Sequence, residues 1–119
     1  MKTLAQRRAT IALRWKDKSF GGKKDGNVVS GFPMLIRTDG LLPALAYAVE
    51  PKGSVPKNSG EFEIAAALVE HLSNEGILKE SKTPLDMVKE LSSAGDASQL
   101  RRATSESLAF LNYLKRFVA

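Results

Sequence analysis

The sequence contains one histidine, His71, and it is the residue best suited to proton transfer near neutrality. It lies in EFEIAAALVEHL. On a helix Glu70 points elsewhere, and Glu75 at i+4 is the one plausible helical partner. A His–Glu pair without further ligands is a poor metal site. There is no cysteine to supply a thiolate or a disulfide. His71 therefore reads as a surface or core-edge histidine. The serines have neither a second histidine to serve them nor a nucleophile-elbow motif. The stretch GGKKDG at Gly21–Gly26 has the glycines and lysines of a phosphate loop. It lacks the GxxxxGK[ST] pattern and the strand that should precede it. Glu61 and Glu63 are two apart, so on a helix they face different directions. These residues predict no catalytic group, no metal and no cofactor.

The basic residues offer a different chemistry. The chain has 119 residues and a net charge of +5, with a pI near 9.6. Residues 1–37 carry nine Lys/Arg against Asp17 and Asp25, a net of +7. Residues 38–100 carry five against ten acids, a net of −5, and residues 101–119 carry four against Glu106, a net of +3. Two basic ends that pack together would present one positive face to a polyanion. The candidate nucleic-acid-binding residues are Arg7, Arg8, Arg14, Lys16, Lys18, Lys23, Lys24, Arg37, Arg101, Arg102 and Lys115. Such side chains neutralise phosphates without reading sequence. The alternative is a solvated surface with uneven charge. Trp15 and Tyr113 could stack on bases or could pack.

These residues must be positioned by helices. The longest dominantly apolar stretch is FPMLIRTDGLLPALAYAV, Phe32 to Val49. With two charges and two prolines it is a poor membrane span. It reads as two short buried helices joined at Arg37–Gly40, with Pro33 in the first turn of one and Thr38 or Asp39 capping the other. Lys2 to Trp15 predicts a helix with Leu4, Ile11 and Trp15 on one face and Arg8 near the stripe. Asp17 to Asn27, with Gly21, Gly22 and Gly26, predicts a mobile basic loop.

Pro51 to Ser59 reads as a linker. A helix follows from Ser59 to about Asn74, with Phe62, Ala65, Ala66, Leu68, Val69 and Leu72 on its apolar face and Gly76 as its C-terminal cap. Thr83 and Pro84 open another helix, with Leu85, Val88 and Leu91 as its stripe and Gly95 ending it. Asp96, with Gln99 three residues on, predicts a capping box for a last helix from Ala97 to Val118. On that helix Leu111 should be buried. No segment shows sustained period-2 alternation. The expected fold class is all-α, one compact domain over residues 1–119 built as a bundle of about six helices. With no leader-like or membrane-spanning stretch, the expected compartment is the cytoplasm.

Three stretches, MKTLAQRRATIAL, FPMLIRTDGLLPALAYAV and LRRATSESLAFLNYLKRFVA, occur in this order over nearly the whole chain. Together they resemble the small helical subunit of the type III-B CRISPR RNA-targeting effector, the Cmr complex. The resemblance implies a non-catalytic role in antiviral defence. It implies stacking of copies along the guide–target duplex and contact with target RNA. The implied partners are guide RNA, target RNA, the backbone and polymerase-like large subunits, and further copies placed head to tail, with no membrane. The acidic middle would face a neighbour's basic end.

Two other classes remain open on the residues alone. One is a helical scaffold that binds protein and no RNA. The other is a small helix-turn-helix DNA-binding regulator, whose second helix would begin DASQLRR.

Overall fold

The computed structural model of the chain describes residues 1–18, 20, 25–93 and 97–118. Six α-helices follow in order: α1 (Leu4–Trp15), α2 (Asp25–Asp39), α3 (Leu41–Ala48), α4 (Ser59–Asn74), α5 (Pro84–Ser92) and α6 (Ser98–Phe117). A two-stranded hairpin, β1 (Pro51–Lys52) and β2 (Val55–Pro56), lies between α3 and α4. The all-α expectation holds, with the hairpin as its one addition among the described residues.

α1 begins with a capping box in which Thr3 and Gln6 bond each other's backbone N–H. Two orphan donors at the helix start are thereby satisfied. α2 departs from expectation. It begins at Asp25, so Pro33 lies inside the helix, and Asp25–Asn27 belong to it instead of to a loop. The glycines and Pro33 argue against a helix here. Val29, Phe32 and Ile36, at i, i+3 and i+7, are buried, and that packing outweighs propensity. Of the rest of the expected mobile loop, Phe20 is instead buried in the core, its ring removed from water by packing, whereas residues 19 and 21–24, with Lys23 and Lys24, lie outside the described residues.

Neither Thr38 nor Asp39 caps α3. The N-cap is Gly40, at φ 98°, with no side-chain cap bond. The Gly40 N–H closes α2 on the Ile36 carbonyl at 2.8 Å, so one residue ends a helix and begins the next. Only glycine adopts that φ without strain.

The stretch expected as a linker is the hairpin. Pro51 pairs with Pro56 and Lys52 with Val55, around a turn with Gly53 at φ 64°. Strands of two residues are too short to show alternation. α4 has the expected bounds, and Gly76, at φ 75°, follows its C-cap Glu75 as C′. Thr83 caps α5 by accepting the Asp86 N–H at 3.1 Å. The α5 stripe differs, since Met87 is buried whereas Leu85 is 49% exposed. Gly95 and Asp96 lie outside the described residues. The N-cap of α6 is Ala97, and Gln99 turns away to bond the Ile77 carbonyl and Glu90.

All six helices contribute to one apolar core, with Phe20, Phe32, Leu45, Ile64, Leu68, Met87, Phe110 and Leu111 among its buried members. Leu111 is buried as its position on α6 predicts. Gly60, near the start of α4, lies directly under the Phe20 backbone carbonyl.

Candidate nucleic-acid interface

α1, α4 and α6 pack together, and their contacts set their directions. Arg7 bonds Glu75 while Arg14 and Trp15 bond Glu70, so α1 and α4 are antiparallel. Gln99 reaches Ile77 while Glu106 reaches His71, so α6 and α4 are antiparallel too. α1 and α6 therefore run the same way. Leu4 and Arg102 line one hollow at their N-terminal portions. The C-terminal turn of α1, with Arg14 followed by Lys16 and Lys18, lies at the same end as Lys115 and Arg116 of α6.

This packing divides the expected RNA-binding residues. Arg7 is bidentate to Glu75, at 2.7 and 3.0 Å. Arg8 is bidentate to Glu106, at 2.6 and 2.7 Å, and its side chain is 21% exposed. Arg14 pairs with Glu70 at 2.8 Å but keeps 63% exposure. Lys16 contacts Asp17 at 2.9 Å, and Lys18 Nζ sits 5.8 Å from the centre of the Trp15 ring. Among the described residues no ion pair holds Arg37, Arg101, Arg102 or Lys115, and all four are exposed. Trp15 and Tyr113 are half-buried against the core.

His71 departs most from expectation. It is fully buried, stacked on Phe110 with ring centroids 4.7 Å apart. Its partner is Glu106 from α6, not Glu75, with Nε2 to Oε2 at 2.8 Å. Burial works to raise the Glu106 carboxyl. The hydrogen bonds from Arg8 and then His71 outweigh it and hold the group below its ordinary range. Ionised Glu106 can only accept, so His71 Nε2 donates. Bidentate Arg8 and donating His71 leave Glu106 well satisfied in the interior. The network joins three helices, and nothing in the local sequence of α4 signals it. Among the described residues no group of three or more His, Cys, Asp or Glu could hold a metal ion.

The fold thus defines a small helical bundle with exposed cations on α1, α2 and α6. Among the described residues no helix is long and apolar enough to cross a membrane. The family model for CRISPR-associated protein (Cas_Cmr5) matches residues 4–119, and the chain belongs to that family, the small subunit of the type III-B Cmr complex. A Cmr5 family protein from Thermus thermophilus has a similar fold, with a TM-score of 0.72 at 22% identity over 98% of this chain and 95% of that one. No curated protein matches the chain significantly.

Proposed function

We propose that the chain is a non-catalytic RNA-contacting subunit of a cytoplasmic Cmr effector in antiviral defence, acting as one helical unit. The effector's guide and target RNA and its backbone and large subunits are its partners, and copies stack head to tail along the duplex. In such a complex base pairing reads sequence, and the protein needs only shape and phosphate contacts. The observation that carries the reading is the parallel packing of α1 and α6. It sets α1 and α6 side by side against α4, which supports a reading in which the cations of residues 1–18 and of α6 act together.

The contact residues are taken from the cations that keep exposed side chains. Arg14, Lys16, Lys18, Arg37, Arg101, Arg102 and Lys115 supply the phosphate contacts, and Lys23 and Lys24, outside the described residues, are further positions read from the sequence alone. Arg7 and Arg8 act on RNA only indirectly, because their guanidiniums are already engaged by Glu75 and Glu106. Fluorescence anisotropy with labelled single-stranded RNA and duplex DNA tests the reading. Weak, salt-sensitive binding that prefers RNA is expected. Binding to duplex DNA alone would favour a helix-turn-helix regulator, and binding to neither, even in the assembled effector, would favour a scaffold.

A further inference from the structure

Trp15 closes α1, and its indole is held in one orientation. Its Nε1–H donates to Glu70 Oε1 at 2.9 Å, while the other oxygen of that carboxylate takes Arg14 at 2.8 Å. The ring packs against the core and is half-buried. Lys18, itself exposed, places Nζ over the ring, 5.8 Å from its centre. The ring face under Lys18 is therefore the one turned towards solvent. Residues 14–18 carry Arg14, Lys16 and Lys18 against Asp17, a net of +2. Tyr113 differs, because its hydroxyl interacts with Arg8, a guanidinium already bound to Glu106. A flat aromatic face fixed at its edge and surrounded by cations offers an unpaired base a surface to stack on and charges for its phosphates.

We infer that this outer face of Trp15 is a stacking platform for one unpaired RNA base, with Arg14, Lys16 and Lys18 neutralising the phosphates beside it. The inference rests on the reading that the chain contacts RNA, and it adds a base contact to cations that reach only phosphate. Fixing the ring edge through Glu70 reduces the ordering that stacking would otherwise require. Arg14 neutralises Glu70, so the carboxylate that orients the ring does not repel the phosphates. Lys18 is the group that must move. At 5.8 Å it is near the outer limit of a cation–π contact, and an exposed contact of that kind is weaker than base–aromatic stacking. The displaced ammonium is then available to a phosphate next to the stacked base. Every base has a π-face, so the contact carries little sequence preference.

Trp15 is the only tryptophan in the sequence, so tryptophan emission from the chain reports on this ring alone. The full chain is titrated at low salt with oligoadenylate, and the anisotropy of a labelled strand is read in parallel. Emission should be quenched, and the quenching should follow the binding curve. Inorganic polyphosphate should displace the labelled strand yet leave the emission unchanged. Trp15→Leu should bind oligoadenylate roughly tenfold more weakly. Trp15→Phe, which keeps a ring, should stay within about threefold of wild type. Binding without quenching, or equal quenching by polyphosphate, would overturn the platform and leave the phosphate contacts intact. Wild-type affinity in a folded Trp15→Leu chain would do the same. The quenching comparison uses the wild-type chain, so it decides even if Trp15→Leu does not fold. Absence of any RNA binding at low salt would overturn the RNA reading itself, and this inference with it.

Discussion

His71 Nε2 and Glu106 Oε2 meet at 2.8 Å in the interior, and the same carboxylate holds Arg8 of α1 at 2.6 Å. One acid therefore ties α1 to α4 and α6. Glu106 is 8% exposed, so removing it leaves the half-buried Arg8 guanidinium without its partner and a fully buried imidazole N–H without an acceptor.

Glu106→Ala should lower stability by about 3 kcal/mol. Glu106→Gln keeps one acceptor oxygen but turns an amide N–H towards an Arg8 donor and loses the charge, and should cost about 2 kcal/mol. Glu70→Ala removes a more exposed partner, 35% exposed, and should fall within about 1 kcal/mol of wild type. Urea unfolding of the three variants checks the ranking. Equal losses at positions 70 and 106 would contradict the role given to the network.

Two glycines should respond in opposite directions. A Cβ at Gly60 would run into the Phe20 backbone carbonyl, which cannot move as a flexible side chain could. Gly60→Ala should destabilise by about 2 kcal/mol. Gly31, inside α2, has open space around its Cβ position. Gly31→Ala should stabilise by about 0.5–1 kcal/mol through helix propensity. Thermal melts of both variants read the difference.

Glu90 sets an acid limit. Burial works to raise its carboxyl. The N–H groups of Lys79 and Glu80, the Ser81 hydroxyl and the Gln99 amide outweigh burial, and the pKa falls from 4.5 to about 2. Its folded-state pKa is depressed. Its contribution is therefore fully present above the unfolded value and is lost as pH falls from 4.5 towards 2. Glu90→Gln should be less stable than wild type by about 2 kcal/mol at neutral pH, after allowance for solvent screening. That gap should close across this window. A gap that is constant with pH would show that Glu90 acts only through shape.

The legibility of the sequence follows the range of the interactions. The bounds of α4 and the Thr83 cap of α5 depend on residues a few positions apart, and both are where the sequence places them. α2 is hidden because the burial of Val29 and Phe32, a tertiary effect, overrides glycine and proline. Gly40 replaces a side-chain cap because a positive φ turns the chain in a single residue. Glu106 stands out as the one acid in a basic amphipathic helix, but its partners are 98 and 35 residues away. For the same reason the sequence does not separate Arg7 and Arg8 from the free cations. Charge counts cannot tell a guanidinium held by a distant carboxylate from one facing solvent.

Cations along the α1/α6 flank are proposed to contact RNA phosphates, and a salt titration tests this directly. Target-RNA binding is measured for the assembled effector, carrying either wild type or the chain with Arg14, Lys16, Arg102 and Lys115 all changed to Ala. Weaker binding by the variant at low salt is expected, with no change in sequence preference. The log–log salt slope should become shallower by about 0.7 for each single-strand phosphate that the variant no longer neutralises. Helicity should be unchanged by circular dichroism, because exposed charges contribute little to stability. Identical affinity and slope for the two complexes, with the fold intact, would contradict the proposed interface and place RNA contact elsewhere in the effector.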